Sequence, residues 1–471
     1  MEELFDKPRE ECGVFGILAP EGDNVARRIY YGLTALQHRG QEATGIAVSS
    51  TADPESRIRF HKNLGLVSEV FSPDILDSLK GNIGIGHDRY STQGSNTVEN
   101  AQPMVMQYYG GYLGLVHNGN IVNAPALKKD LMSLGVCFHS TSDTEVVASL
   151  LARESTQCDT VEEAVKRTAS RLIGGYALVF MSGDKLVGVR DPLALKPLCI
   201  GRTGSSYVIA SESCALNAVN AQFLRDVKPG EIITITPDGI HSDFIPKAER
   251  EAHCIFEYIY FARLDSCIDG IDVNDARIRG GRALAKAFPA DADIVAGVPE
   301  SGLAAAAGFS IESGIPYRSV FHKNSYIGRS FIKPTQEERE TAVQQKLGLL
   351  SSSVRGKRVV LIDDSIVRGT TIRNLIRSLK NAGATEVHVR ISSPPFLHPC
   401  YYGTNVPTTG ELIASAQSEE QIRLMIGADS LHYMRIEDFR QMVGELPLCK
   451  ACFDGDYPTE VPEEKVSRSQ Q

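Results

Sequence analysis

The stretch VVLIDDSIVRGTT, residues 359–371, decides the fold of the C-terminal half of the chain. A short apolar run that is typical of a buried strand ends in Asp363 and Asp364, and a loop then leads into a helical pattern. Two adjacent carboxylates repel a phosphate, but they suit ribose hydroxyls or a Mg²⁺ ion, which prefers oxygen ligands. For the two aspartates alone, an acidic helix N-cap is an equally good interpretation.

The loop after the aspartates has the composition of a phosphate site. Ser365, Thr370 and Thr371 supply hydroxyls, and Gly369 lets the backbone approach a ligand closely. Backbone N–H groups at the start of the following helix would complete a nest for a phosphate dianion.

The neighbouring segments predict parallel βαβ units. DIVAGVPE (293–300) and VHVRISSPP (387–395) are typical of strands, and an apolar helical periodicity follows residue 371, with Gly383 at the position of a C-cap. The periodic residues are Ile372, Leu375, Ile376 and Leu379. Such units place ligands at the carboxyl ends of the strands.

This order of strand, paired aspartates, hydroxyl-rich loop and helix resembles the phosphoribosyl-pyrophosphate (PRPP) motif of type I phosphoribosyltransferases. The resemblance implies PRPP as substrate, with its 5-phosphate in the loop and Mg²⁺ near Ser301, Asp363 and Asp364. The residues that it assigns to PRPP are Asp363, Asp364, Ser365, Arg368, Gly369, Thr370, Thr371 and Lys323.

Residues 322–339, HKNSYIGRSFIKPTQEER, resemble the flexible lid of these enzymes. Lys323 and Arg329 could clamp phosphates there and exclude water. A solvated loop is the alternative, but a pyrophosphate leaving group needs cations or metal to offset its charge, which favours the lid.

Residues 12–235 have a different character. Short β-type runs separated by Gly and Asn turns alternate with helical patterns such as TEVVASLLARE, which predicts an α+β layered domain. A hairpin across Pro237, Asp238 and Gly239 would close it.

Four motifs follow Cys12 of CGVFG along the chain. They are ALQHRGQEATGIA (35–47), GHDRYSTQGSNTVENAQPM (86–104), LVHNGNIVN (115–123) and STSDTEVV (140–147). Each is weak alone, but together they resemble the N-terminal-nucleophile glutamine amidotransferases. That family implies an αββα glutaminase domain in front of the phosphoribosyltransferase domain.

The resemblance also implies how Cys12 becomes reactive. In this family the base is the nucleophile's own α-amino group, whose pKa of about 7.7–8.0 suits the task. That amine exists only if residue 12 becomes the first residue, so MEELFDKPREE (1–11) is interpreted as a propeptide rather than a frayed terminus.

The same resemblance assigns roles to the motif residues. Asn118 and the N–H of Gly119 would form the oxyanion hole, Arg89 would pair with the glutamine α-carboxylate, and Asp143 would bind its α-amino group. Less specifically, Arg39 and Gly40 would shape the surroundings of the nucleophile.

The sequence has ten cysteines, and metal chemistry can explain several of those other than Cys12. Cys449 and Cys452 form a Cys-x-x-Cys pair, and Cys254 and Cys400 are further candidate ligands; such a tetrathiolate suits Zn²⁺ or an iron–sulfur cluster. The resemblance to one branch of glutamine PRPP amidotransferases favours a 4Fe–4S cluster on these four, with Cys267 as the alternative ligand. The remaining thiols are expected to be buried: Cys137, Cys158, Cys199 and Cys214.

Composition limits the other possibilities. The formal charge of −9 over 471 residues argues against a nucleic-acid or anionic-membrane surface, and no apolar run approaches the length of a membrane span. Ten cysteines without a secretory signal indicate a reducing cytoplasm.

The expected domains are a propeptide (1–11), an amidotransferase domain (12–245), a phosphoribosyltransferase domain (246–452) and a polar, disordered tail (453–471).

Taken over the whole chain, the resemblance implies transfer of glutamine-derived ammonia to PRPP through an internal channel. It also implies a homotetramer inhibited by purine nucleotides. Another glutamine amidotransferase would share the first half only, and a non-enzymatic PRPP-binding regulator would have no use for Cys12.

Overall fold

The computed structural model describes residues 11–53, 55–90, 96–324, 347–406 and 408–462. The strands of the first half are β1 Gly13–Leu18, β2 Ala43–Ser49, β3 Arg59–Leu64, β4 Ile83–Arg89, β5 Met104–Tyr108, β6 Gly111–Ile121, β7 Gly174–Ser182, β8 Lys185–Arg190, β9 Cys199–Thr203, β10 Ser206–Ala210, β11 Gln222–Asp226, β12 Glu231–Thr236 and β13 Gly239–Phe244. Its helices are α1 Ala26–Leu36, α2 Val67–Val70, α3 Pro73–Ser78, α4 Ala124–Ser133, α5 Asp143–Glu154, α6 Val161–Ala169 and α7 Ser213–Ala218, with 3₁₀ turns at Val98–Asn100 and Ser155–Gln157.

The second half continues the numbering. Its strands are β14 His253–Cys254, β15 Cys267–Ile268, β16 Ile271–Asp272, β17 Ile294–Gly297, β18 Phe321–Lys323, β19 Leu347–Leu349, β20 Arg358–Asp363, β21 Glu386–Ile391, β22 Ser430–Tyr433 and β23 Leu448–Cys449. Its helices are α8 Val273–Ala287, α9 Gly302–Ser313, α10 Ser351–Val354, α11 Thr370–Asn381, α12 Ile413–Ala416, α13 Glu419–Ile426, α14 Phe439–Val443 and α15 Ala451–Asp454. A π-helix spans Glu257–Phe261, and 3₁₀ turns span Thr409–Glu411 and Ile436–Asp438.

Two antiparallel sheets form the first half. One has the order β11-β9-β10-β1-β4-β2-β3 and the other β13-β12-β8-β7-β6-β5. Apolar side chains between them, among them Val14, Ile85 and Val179, make an inner core, since alternate residues of each strand point to the same face. The outer faces are covered by α1 and α7 on one side and by α5 and α6 on the other. These layers confirm the predicted αββα arrangement.

The second half is built on a four-stranded parallel sheet, in the order β17-β20-β21-β22. Helices α8 and α9 pack on one face, and α11 and α13 pack on the other. The periodic positions after residue 371 lie on α11 as predicted, and Gly383 follows its C-cap with a positive φ of 98°. The expected parallel sheet is therefore confirmed.

The hairpin that closes the first half is also confirmed. Thr236 and Gly239 are directly opposed across β12 and β13, so Pro237 and Asp238 form a two-residue turn.

Two expectations are wrong. Cys137 is exposed and Cys158 is partly exposed, because each lies in a connection just after a helical segment rather than under a sheet. The tail is ordered at least to residue 462: Phe453 is buried, and the Tyr457 hydroxyl donates to the Pro399 carbonyl at 2.7 Å.

All ten cysteines fall in the described ranges, and all ten are unpaired thiols. None of the helices in those ranges combines the length and the apolar character that a bilayer span requires.

Candidate active sites

The first site forms around Cys12, which directly precedes β1. Gly13 pairs with Asp88 at the end of β4, and this register brings Cys12 beside Arg89 and Tyr90. The Cys12 Sγ accepts the Tyr90 N–H at 3.5 Å and lies 3.4 Å from the Tyr90 carbonyl oxygen. Burial raises the pKa of the Cys12 thiol to about 11, so the thiolate needs a base to form near neutral pH.

Asn118 and Gly119 lie side by side in β6. Asn118 is fully buried, and in the described structure neither its amide oxygen nor its amide nitrogen has a hydrogen-bond partner. Gly119 has φ +134°, and a Cβ there would lie 2.0 Å from the Gly175 carbonyl oxygen, so only glycine fits. A buried amide without a partner costs stability unless a ligand uses it, so its retention here indicates a binding function.

Arg89 and Asp143 lie close to the same thiol. Both act on the charge of Cys12, where Arg89 lowers and Asp143 raises the pKa of the thiol. Asp143 opens α5, accepts the Ile121 N–H at 3.0 Å and lies 3.6 Å from His117 Nδ1. Burial acts to raise the pKa of Asp143, but His117 and the hydrogen bonds outweigh it and lower that pKa, so the carboxylate stays ionised.

Arg39 holds the backbone of the nucleophile. Its Nε donates to the Cys12 carbonyl oxygen at 3.1 Å, and its guanidinium pairs with Glu212 at 2.6 Å and with Glu257 at 2.7 Å. Glu257 belongs to the π-helix of the second half, so this contact joins the two halves of the chain directly behind Cys12. Gly40 is required for packing, since a Cβ there would lie 2.5 Å from the Asp88 backbone.

The residue before Cys12 is also held in the interior. Glu11 pairs with Lys196 at 2.5 Å and with Arg39 at 3.1 Å, and it accepts the Thr404 hydroxyl at 2.8 Å. Burial acts to raise the pKa of Glu11, but Lys196 and Arg39 outweigh it and lower that pKa. Glu11, Lys196 and Thr404 are not among the residues predicted from sequence, because nothing local marks a charge whose partners lie far along the chain.

The second site lies at the carboxyl end of β20. Asp364 accepts hydrogen bonds from the hydroxyl of Ser301 and, at 2.6 Å, from that of Ser365, while its own N–H donates to Asp363 Oδ1 at 2.9 Å. Gly369 has φ +83° and caps α11, which begins with Thr370 and Thr371. The predicted loop residues are thus gathered at one strand end, together with Ser301 from the end of the neighbouring strand.

The cationic side chains that were predicted for this site form ion pairs with carboxylates. Arg368 contacts Glu411 at 3.0 Å, and Lys323 contacts Glu300 at 3.0 Å. Residues 325–339 of the predicted lid, including Arg329, lie outside the described residues.

Four of the predicted ligand cysteines line one cavity. Cys254 and Cys449 are directly opposed across the parallel pair of β14 and β23, and Cys400 and Cys452 complete the wall. The N–H groups of Leu397 and His398 donate to the Cys452 carbonyl at 3.0 and 3.1 Å, which fastens the Cys400 loop to the Cys-x-x-Cys turn.

Cys267 lies apart from this cavity, in the β15–β16 hairpin, where its N–H donates to Ser213 at 2.8 Å. Within the described ranges, no three His, Cys, Asp or Glu side chains are close enough to hold a single metal ion.

Comparisons with known proteins assign a family to each half of the chain. The family model of the glutamine amidotransferase domain matches residues 87–218, and that of the phosphoribosyl transferase domain matches residues 272–392. The amidophosphoribosyltransferase of Methanocaldococcus jannaschii is 48% identical over 470 residues, which cover 97% of this chain and 99% of the relative. That of Bacillus subtilis is 45% identical, covering 97% of this chain and 96% of the relative.

A solved structure matches over the same length. The glutamine PRPP amidotransferase from B. subtilis, complexed with ADP and GMP, superposes with a TM-score of 0.89 at 44% identity, covering 97% of this chain and 99% of that one. The chain therefore belongs to the amidophosphoribosyltransferase family, whose members transfer ammonia derived from glutamine to C1 of PRPP, giving 5-phosphoribosylamine, glutamate and pyrophosphate in the first step of purine synthesis.

Proposed function

We propose that Cys12 is the glutamine nucleophile and acts after removal of residues 1–11. Its raised pKa means that the thiol needs a base, and the α-amino group created by cleavage would be adjacent and would titrate at about 7.7–8.0. The burial of Glu11 between Lys196 and Arg39 supports a structured junction at the cleavage point, rather than a frayed end.

Asn118 and Gly119 then stabilise the oxyanion of the tetrahedral intermediate. The observation that supports this most strongly is the fully buried Asn118 amide, which has no hydrogen-bond partner in the described structure. Fixed donors aimed at the developing charge cost no reorganisation during the reaction. Arg89 binds the glutamine α-carboxylate and the ionised Asp143 binds its α-amino group, which places the side-chain amide at Cys12.

In the second half, PRPP binds at the end of β20. The start of α11, with Thr370, Thr371 and the N–H groups after Gly369, receives the 5-phosphate, and Ser365 adds a hydroxyl. Arg368 and Lys323 exchange Glu411 and Glu300 for phosphate oxygens.

The oxygen donors at this strand end fit Mg²⁺. Ser301, Asp363 and Asp364 present only hydroxyl and carboxylate oxygens, the ligand type that this ion prefers. When bound, the ion would offset the charge of the pyrophosphate leaving group.

The cysteine-lined cavity fits one 4Fe–4S cluster per subunit. Its donor set is purely thiolate, from Cys254, Cys400, Cys449 and Cys452. A four-iron cluster is wider than a single ion, so its four thiolates stand farther apart, which agrees with cysteines that surround a cavity without meeting at one point. Cys267 lies outside this set. Iron and sulfide analysis of a Cys452→Ser variant would test it, with loss of both expected.

Three further properties rest on the family. Purine nucleotides are the proposed feedback inhibitors, since the B. subtilis relative is complexed with ADP and GMP. The ten unpaired cysteines support a reducing cytoplasm. A homotetramer is proposed from the resemblance alone, and sedimentation analysis would test it.

The proposed domain boundaries are 12–245 and 246–452, with residues 453–462 as a packed extension of the second domain. The last strand of the first half ends at Phe244, which supports the boundary at residue 245. The Tyr457 hydroxyl donates to the Pro399 carbonyl, which supports residues 453–462 as part of the second domain.

The experiment that tests the nucleophile is an intact-mass measurement on enzyme purified from cells under anaerobic conditions. We expect a chain that begins at Cys12 whenever glutamine is hydrolysed. A chain that retains residues 1–11 and hydrolyses glutamine at full rate would contradict the proposal.

A further inference from the structure

The strand that carries Asn118 and Gly119 is contacted by a segment from the other half of the chain. The segment Tyr401–Thr404 follows Cys400 and packs across the end of the β6–β7 pair that carries Gly119 and Gly175. Because this segment begins some 280 positions after β6, no local pattern in the sequence indicates the contact.

Two contacts fix the segment against β6. The Tyr401 carbonyl oxygen accepts the Asn120 amide N–H at 2.7 Å. Gly403 has φ +109°, and a Cβ there would lie 3.0 Å from both the Cα and the carbonyl carbon of Gly119. Gly403 is therefore packed directly on the backbone of the residue whose N–H we assign to the oxyanion hole.

Two further contacts hold the segment itself in place. Tyr402 is buried with Leu193 and Leu195, and its Cβ lies 3.3 Å from the position that a Cβ on Gly175 would take. Thr404 donates to Glu11, the residue that precedes Cys12. The segment is thus anchored on both sides of its contact with Gly119.

We propose that Tyr401–Thr404 is a positioning segment for glutamine hydrolysis: the second domain holds the Asn118–Gly119 backbone at the place where the oxyanion forms. The proposal rests on the oxyanion role of Asn118 and Gly119 proposed above. Its physical basis is that oxyanion stabilisation depends on donor positions, and a displacement of about 1 Å can cost about 100-fold in rate.

The test compares Gly403→Ala with Gly444→Ala. Gly444 also has a positive φ, of 70°, but a Cβ there meets nothing within 4 Å, so it imposes backbone strain without a contact. We expect Gly403→Ala to lower kcat for glutamine hydrolysis by about 100-fold with little change in KM, and Gly444→Ala to leave kcat unchanged.

Two readouts separate positioning from general damage. Ammonia-dependent synthesis, which does not use the oxyanion hole, should be unchanged in Gly403→Ala. Alkylation of Cys12 by iodoacetamide, followed on the Cys12 peptide by mass spectrometry, should also be unchanged, because displacement at a saturated carbon develops no oxyanion. An equal loss in either readout, or an unchanged kcat, would overturn the proposal.

A second variant decides the case if Gly403→Ala does not fold or is not cleaved before Cys12. Asn120→Ala removes the Tyr401 contact from the other side and leaves Glu11 and Gly403 intact. We expect it to lower kcat by about 10-fold, again without affecting alkylation; an unchanged kcat would overturn the proposal. Asn118→Ala tests the underlying role separately: if it retained full kcat, the oxyanion assignment would fail whatever the result at Gly403.

Discussion

The two sites of this chain are built in opposite ways. Around Cys12 the side chains come from strands, from the first turn of α5 and from the turn after α1. They are buried, and they include the Asn118 amide without a described partner. At the end of β20 the carboxylate of Asp364 is bonded to neighbouring hydroxyls, and Arg368 is paired with Glu411.

The difference indicates how each site meets its substrate. Under the proposed roles, the amidotransferase site is preorganised, and glutamine would complete the hydrogen bonds that the buried Asn118 amide leaves open. The PRPP site must exchange internal partners for phosphates and metal, so part of the binding free energy is used in breaking those contacts.

The largest expected effect comes from Cys12→Ala. Loss of a nucleophile typically costs about 10⁶-fold, so glutamine-dependent synthesis should fall below detection. Synthesis from ammonium chloride should continue, because it uses only the second site. Product formation with each nitrogen source measures both rates, and loss of both together would contradict the separation of the sites.

Asp364→Asn should have the converse effect. Weakened metal and ribose binding should lower synthesis from either nitrogen source by about 10³-fold, equivalent to about 4 kcal/mol. Glutamine hydrolysis without PRPP should remain at its basal rate. Survival of ammonia-dependent synthesis in this variant would show that PRPP binds elsewhere.

Both sites could be predicted in part from sequence, for a physical reason. The β20 loop and the hairpin at Thr236–Gly239 depend on residues adjacent in the chain, so their local pattern carries the information. The residues around Cys12 come from distant strands, and only the resemblance to a family grouped them.

The remaining contacts could not be predicted from sequence. Glu11 and Thr404 are separated by 393 positions, and their hydrogen bond depends on the packing of one half of the chain against the other. The exposure of Cys137 could not be predicted either, because the position of a single cysteine in the sequence does not show whether other residues will cover it.

A smaller effect is expected at Glu411, which holds Arg368 in the absence of substrate. Glu411→Gln should lower KM for PRPP by about 2- to 5-fold, since exposed ion pairs contribute about 0.2–1 kcal/mol. Glu420→Gln is the control, because Glu420 pairs with Arg423, whose side chain is about as exposed as that of Arg368, although Glu420 is itself more exposed than Glu411. Equal KM values in the two variants would show that Arg368 does not exchange partners.

The smallest expected effect is on stability. It is tested by comparing one carboxyl group from each half of the chain. Burial raises the pKa of Asp88 well above its usual range, and a hydrogen bond from the Thr44 side chain offsets this only in part. Hydrogen bonds from Arg358 lower the pKa of Asp293 instead. The folded state therefore disfavours the charge on Asp88 and favours the charge on Asp293.

The pH dependence follows from these directions. The raised pKa of Asp88 means that stability is lost as pH rises above about 4, where this group ionises in the unfolded chain. Asp88→Asn should therefore raise the thermal midpoint by about 2–4 °C at neutral pH and leave it unchanged near pH 3, whereas Asp293→Asn should lower it slightly at neutral pH. Thermal unfolding at both pH values would measure this, and a destabilised Asp88→Asn at neutral pH would contradict it.

The most direct measurement of the coupling between the two sites is glutamate release from glutamine, with Mg²⁺, in the presence and absence of PRPP. We expect strong stimulation by PRPP with an equal amount of pyrophosphate in the parent enzyme, and no stimulation in Asp364→Asn. Glutamine hydrolysis that is indifferent to PRPP in the parent enzyme would contradict a second site coupled to the first.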